Sequence, residues 1–288
     1  MEKRNRLRQY LTITAVAMAA ALLFVPPRLP TEKARGGTAQ SDIPRTPAEL
    51  TVEIAKNLKT SSELSIAAKD LKTGERYSLG ADKRFDAAST QKLTIVAYMY
   101  NQASNDRFDL DQVITIPSAE VQRYGTGSLQ YERAPLRKSW RELARVMMKE
   151  SDNTAAYVLT NRLDQQKVQE FANGLGLTST DVFKNTTTAT DMLVLIEAIY
   201  RDQVADPTLS QELKGFMVDT AFEDRLAPGL PDEATLIHKT GDAFDGGLHD
   251  VGVITYRDRE YAVALFSRRV DLAEIPDISR ELFEYYTR

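Results

Sequence analysis

The feature that most limits the fold of this chain is where strand-like sequence occurs. It marks both ends of the folded part, and the stretch between them reads as helical. Near the start, Leu64, Ile66 and Ala68 alternate with polar neighbours, Lys72-Thr73-Gly74 makes a turn, and a second run reaches about Leu79. Near the end, Thr235 to Thr240, Val251 to Tyr256 and Tyr261 to Ser267 are β-rich, and Arg257-Asp258-Arg259 can close a hairpin between the last two. Helical stretches at 139–149, 153–163, 165–174, 189–201 and 208–219 lie between. Further helices run from Pro47 to Leu58, with Thr46 as a candidate N-cap, and from about Leu272 to Tyr286. From Thr90 to Gln102 the chain is helical as well, and Leu93 through Met99 is too apolar all round for a surface helix. One sheet assembled from both ends is therefore expected, from residues 47–103 and 220–288, with an all-α subdomain at 104–219 inserted into it.

Ahead of this part, Lys3, Arg4, Arg6 and Arg8 precede an uncharged apolar run from Tyr10 to Val25, which Pro26 and Pro27 end. That order is one of an export signal or a membrane anchor. The run is short against the roughly 20 residues that span a bilayer. No A-x-A-like cleavage site follows it closely, the nearest small-x-small triplet being Ala34-Arg35-Gly36, so residues 1–27 are read as a retained anchor. The basic residues stay inside, which places the rest outside the cell membrane. Residues 28–46 read as a flexible tether.

Composition narrows the chemistry. The chain of 288 residues has no cysteine and only His238 and His249, so thiol chemistry and thiolate metal sites are excluded. A formal charge of −4 gives no basic surface for nucleic acid. Catalysis would have to come from Ser, Lys, Tyr, Asp or Glu. The two histidines flank strand positions and read as structural or exposed, Trp140 as packing, and Tyr124 as a plain loop residue before Gly-Thr-Gly, with a place on a cleft rim as the alternative.

Three short motifs supply such chemistry: Ser89-Thr90-Gln91-Lys92, then Ser151-Asp152-Asn153, then Lys239-Thr240-Gly241. Each alone has a plain structural reading, such as an N-cap serine or a strand-end glycine. Together and in this order they form a known signature of serine acyl transfer. Ser89 begins a helix, where free N–H groups favour a developing oxyanion. Lys92 is about one turn on, so its amine can take the hydroxyl proton once burial or a nearby cation such as Lys239 lowers its pKa. Ser151 can pass a proton to a leaving nitrogen, and Asn153 can hold a substrate carbonyl or Lys92. At a strand end, Lys239 and Thr240 can bind a carboxylate, and Gly241 lets a ligand approach the backbone. The N–H of Asp242 can join that of Ser89 as a two-donor oxyanion hole.

These residues make the chain resemble class A serine β-lactamases and their penicillin-recognising relatives. The likeness continues through Gly125-Thr126-Gly127-Ser128-Leu129-Gln130, Leu143 to Met148, Thr154-Ala155-Ala156, Thr186 to Met192 and Asp250-Val251-Gly252-Val253, and covers roughly residues 48–288. It implies an α/β (α+β) fold with an antiparallel five-stranded sheet, flanking helices and an all-α insert. It implies an acyl-enzyme on Ser89, proton transfer by Lys92 and Ser151, substrate binding by Lys239, Thr240 and Asn153, and no cofactor or metal. The expected partner is a small β-lactam or peptidoglycan-like acyl donor, met by a monomer. The chain departs from the family at the Ω-loop, whose E-x-x-L-N positions the deacylating water. Here Gly176 to Asn185 runs almost directly into Thr186 without a glutamate, with Asp181 as the candidate to replace it and Glu150 lying beside Ser151. A β-lactam-reactive hydrolase, a cell-wall D,D-peptidase or esterase-like acyl enzyme, and a non-catalytic surface binding module are the three functions to separate.

Overall fold

The computed structural model describes residues 46–288 apart from 57, 60 and 61, so the expected anchor and all of the tether but Thr46 lie outside the described residues. Helix α1 (Pro47–Lys56) opens on a reciprocal cap, in which Thr46 Oγ1 accepts the Glu49 N–H and Glu49 Oε2 accepts the Thr46 N–H. Strands β1 (Glu63–Asp70) and β2 (Arg76–Leu79) are joined by a turn in which Asp70 Oδ1 accepts the N–H groups of Lys72 and Thr73. The two-residue β3 (Phe85–Asp86) and a 3₁₀ turn at Ala88–Gln91 lead into α2 (Lys92–Ser104), which is buried from Lys92 to Tyr100.

The insert holds β4 (Val113–Ile116), β5 (Leu136–Ser139), α3 (Trp140–Lys149), α4 (Asn153–Arg162), α5 (Gln165–Gly174), β6 (Thr186–Thr187), α6 (Ala189–Tyr200) and α7 (Pro207–Gly215). Its helices lie where the sequence placed them, although α7 ends at Gly215. It is not wholly helical: β4 pairs with β5, and β6 pairs with β3. These ribbons are four and two residues per strand, too short for a period of two to show. Nor does α6 stand apart from the sheet, since Glu197 on it binds Lys69 of β1 at 2.6 Å.

β7 (Thr235–Asp242), β8 (Leu248–Tyr256), β9 (Arg259–Arg268) and α8 (Ile275–Thr287) complete the chain. The five-stranded antiparallel sheet runs β2-β1-β9-β8-β7, so the first strands meet the last. Alternation along β9 divides two cores. Ala262, Ala264 and Phe266 face the helical insert, while Val263 and Leu265 face α1 and α8. Among the described residues no helix is long and apolar enough to cross a membrane. The edge strand β7 carries Lys239-Thr240-Gly241 beside the turn that holds Ser89.

Candidate active site

The Ser89 turn is fixed from outside. Asp86 Oδ1 accepts the Ala88 N–H at 2.8 Å and Asn185 Nδ2 at 3.0 Å, and Ala87 N–H donates to Asn185 O at 2.8 Å. Ala88 has φ +48°, a left-handed bend that non-glycine residues rarely adopt, and it directs the chain into the 3₁₀ turn. A Cβ on Gly241 would sit 3.1 Å from both Ser89 N and Thr90 N, so glycine is what allows β7 to press against the serine. On β7 the His238 N–H leaves the sheet to bond Met217 O at 2.9 Å. Strand period puts the Asp242 N–H on that same outward side, at the edge that faces Ser89.

Lys92 is the first residue of α2, one turn beyond Ser89, and only 6% exposed. Its Nζ donates to Ser151 O at 2.7 Å, Ser151 Oγ at 3.0 Å and Asn153 Oδ1 at 3.2 Å. Lys239 Nζ reaches the same Ser151 Oγ at 3.1 Å and Thr240 O at 2.9 Å. Lys92, Ser151, Asn153 and Lys239 thus form one hydrogen-bonded cluster with a serine hydroxyl between two amines. Ser89, Thr240 and Gly241 border it, whereas the Asp242 side chain turns to solvent and to Arg225, Nη2 to Oδ1 being 2.6 Å.

Burial lowers the Lys92 amine to about 8, against an upward pull from Asp152. Roughly one molecule in ten would then carry a neutral Lys92 at pH 7. Lys239 lies well below the ordinary lysine value because of burial first, then the Lys92 charge and Arg225. Burial is thus the first cause of the lowered value at both amines.

The loop carrying Ser151 is braced by residues 123–130. Asp152 caps α4, Oδ1 accepting the Ala155 N–H at 2.8 Å, while its Oδ2 takes the Leu129 N–H at 2.9 Å. Gln130 Nε2 donates to Gly125 O and Gly127 O, both at 3.0 Å. A Cβ at Gly125 would lie 2.2 Å from Asn153 Nδ2, and one at Gly127 2.0 Å from Asp152 Oδ2. Glu150 Oε2 accepts the Ser128 N–H at 2.9 Å, so it serves this brace. Tyr124 is exposed and its carbonyl lies 3.4 Å from Asn153 Nδ2, at the edge of the cluster.

Where the sequence lacks the glutamate loop, the chain makes a tight turn. Asp181 and Thr186 exchange backbone hydrogen bonds, and Gln91 Nε2 holds Val182 O at 2.8 Å. Asp181 is spoken for as well: its carboxylate binds Lys184 through the backbone N–H and Nζ, which hold it below the usual aspartate range.

Behind β7 the histidines are both buried, so of the two readings from sequence the exposed one falls. His238 Nδ1 lies 2.8 Å from Asp250 and its Nε2 3.1 Å from Glu223. Burial opposes its charge, but the two carboxylates outweigh burial and raise it to about 9. With an unfolded value near 6.5, the charged ring should add about 3 kcal/mol of stability below pH 6.5, lost as pH climbs through 9. Urea unfolding of wild type and His238→Gln should show a gap that shrinks from pH 6 to pH 10, and a constant gap would contradict this account. Arg225, which the sequence gave no reason to single out, is 2% exposed and donates through Nη1 to Gly241 O at 2.9 Å and His249 O at 2.6 Å. His249 stays neutral, its ring lowered to about 4 mainly by burial.

Comparison with known proteins finds a match between residues 49–286 and the model of the beta-lactamase enzyme family. Beta-lactamase Toho-1 of Escherichia coli is 25% identical over 193 residues, covering 60% of this chain and 65% of that protein. The chain thus spans just under two thirds of the length of that relative. Beta-lactamase FAR-1 of Nocardia farcinica (strain IFM 10152) is 24% identical over 233 residues, 75% of this chain and 74% of that one. Among solved structures PBP-A superposes with a TM-score of 0.76 at 24% identity, covering 83% of this chain and 96% of that one. A PBP-A mutant in an acyl-enzyme complex with penicillin G gives a TM-score of 0.76 at 23% identity, covering 84% and 96%. At such identities these structures establish the fold, an α/β architecture shared with class A β-lactamases.

Proposed function

The chain belongs to the beta-lactamase enzyme family, and from that premise we propose that it is an extracytoplasmic serine acyl enzyme that β-lactams and related amides or esters acylate on Ser89. The observation that carries this reading is the buried cluster in which Lys92 and Lys239 share Ser151 Oγ beside the Ser89 turn. Neutral Lys92 takes the Ser89 proton as Oγ bonds to the substrate carbonyl carbon, and the N–H groups of Ser89 and Asp242 hold the oxyanion. The carbonyl–nitrogen bond then breaks. Ser151 gives its proton to the leaving nitrogen and regains one from the Lys92 ammonium, so the serine proton ends on the product amine. Lys239 and Thr240 suit a substrate carboxylate, and Asn153 a substrate carbonyl.

Deacylation needs a base for water. With Asp181 bound to Lys184, the segment that replaces the Ω-loop provides none, and Glu150 beside Ser151 is bound to Ser128, so that step loses about 10²–10⁴-fold. The acyl-enzyme should therefore persist. This favours, as a second reading, a cell-wall D,D-peptidase or esterase-like enzyme in which Lys92 serves both half-reactions. Export and anchoring by residues 1–27 suit both readings.

Intact-mass spectrometry of the full chain in detergent, mixed with benzylpenicillin over time, tests the proposal, with Ser89→Ala as control. A lasting adduct in wild type and none in Ser89→Ala is expected. A short-lived adduct with substrate consumed would mean efficient turnover through another base. No adduct and no consumption would overturn the β-lactam reading and leave a binding module or a different acyl substrate.

A further inference from the structure

Ser151 O accepts two hydrogen bonds of equal length, from Lys92 Nζ and from Thr126 Oγ1, each 2.7 Å. Resting on the acylation of Ser89 proposed above, we propose that Thr126 is a positioning residue which, through the carbonyl it shares with Lys92, sets how readily that lysine releases its proton.

A carbonyl oxygen offers two lone pairs, and here both are taken. The hydroxyl hydrogen of Thr126 places positive partial charge beside the oxygen that stabilises the ammonium. The ammonium is then held less firmly than by a free carbonyl, which favours the neutral amine the reaction needs. The arrangement is rigid. Ser151 has φ +52°, a strained conformation that persists where its surroundings over-determine it. Thr126 is tied to the same loop a second time, its own carbonyl accepting the Asn153 N–H at 3.0 Å. Gly125 and Gly127 on either side have no room for a side chain, so the hydroxyl has little freedom to withdraw.

The charged groups around Lys92 come from two elements. Asp152 at the start of α4 attracts its charge and is itself influenced by Glu150. Lys239 comes from β7, with Arg225, Asp242 and Asp250 acting on it. Thr126 is uncharged, so removing its hydroxyl changes a hydrogen bond and leaves every formal charge in place.

The test is the single-turnover rate of acylation by benzylpenicillin against pH, using full-length wild type, Thr126→Val and Thr126→Ser. Wild type should accelerate as Lys92 becomes neutral. Thr126→Val should move the midpoint upward by about half a pH unit or more, slowing acylation about 3-fold at pH 7 while keeping the alkaline plateau. Thr126→Ser should restore the wild-type profile. A lowered plateau with an unmoved midpoint would make Thr126 merely structural and overturn the proposal, as would an unchanged profile. If the valine variant fails to fold, Thr126→Ala takes its place.

Lysine side-chain NMR, with Lys92→Met to assign the signal, reads the Lys92 titration without any β-lactam. A midpoint raised in Thr126→Val supports the proposal and an unmoved one overturns it. Wild type that titrates as described yet never acylates would defeat the functional reading alone.

Discussion

Substituting Lys92 by methionine is expected to slow acylation of Ser89 by about 10²–10⁴-fold and to leave the protein at least as stable as wild type. The loss follows from removing the one base that lies a helical turn from the nucleophile. The stability follows from what the substitution leaves behind. Methionine fills similar space, and its thioether is at home where the amine is almost wholly desolvated. Of the amine's three acceptors only the half-buried Asn153 Oδ1 loses its partner, since Ser151 O keeps Thr126 and Ser151 Oγ keeps Lys239. Lys239 is also freed from repulsion, so its own value should rise. Quenched-flow acylation and urea unfolding measure the two halves. Acylation within tenfold of wild type would mean that another group takes the proton, and a clear loss of stability would mean that the ammonium holds the Ser151 loop together.

Gly127→Ala should destabilise the fold by about 3–5 kcal/mol, a large share of the roughly 5–15 kcal/mol available to a domain. Two causes coincide. Gly127 sits at φ +102°, where an L side chain is strained, and the new Cβ would lie 2.0 Å from Asp152 Oδ2 and 2.4 Å from its Cα. Asp152 would have to move, with the α4 cap worth about 1 kcal/mol and the buried Leu129 N–H left without a partner. Gly174→Ala is the control, since a Cβ there meets nothing within 4 Å, and it should be neutral or slightly stabilising. A Gly127→Ala protein with a wild-type urea midpoint would show that the brace yields easily.

The parts of this architecture legible in the sequence are those where the chemistry dictates residue type. Ser89, Lys92, Ser151 and Lys239 could be named because few side chains offer a nucleophile, a base and a proton relay. Long strands were legible because their runs of β-branched and aromatic residues, bounded by turn residues, need no distant partner to be recognised. What escaped depends on partners distant in sequence. Nothing near Arg225 says that it will donate to Gly241, and nothing near His238 says that Asp250 will face it from the neighbouring strand. Thr126 is an ordinary loop threonine until folding brings it to Ser151. Asp181 could be counted as a spare acid from sequence, but only the turn it closes with Lys184 shows that it is occupied. Strands β3 and β6 escaped through brevity alone.

The pairing of β1 with β9 has a further consequence, for the order of events in folding. Ile66 lies opposite Leu265, and Glu63 opposite Arg268, so the middle of the sheet joins residues some two hundred positions apart. During synthesis β1 and β2 are made long before the strand that covers them. Until β9 arrives, β1 offers an open edge, a template for wrong pairings. The helical insert, rich in local contacts, can gain structure in the meantime, but the sheet closes last and slowly. The groove where β7 meets the Ser89 turn is therefore among the final features to form, and a chain stopped before β9 would hold the nucleophile and β7 without the strand that joins β7 and β8 to the rest of the sheet.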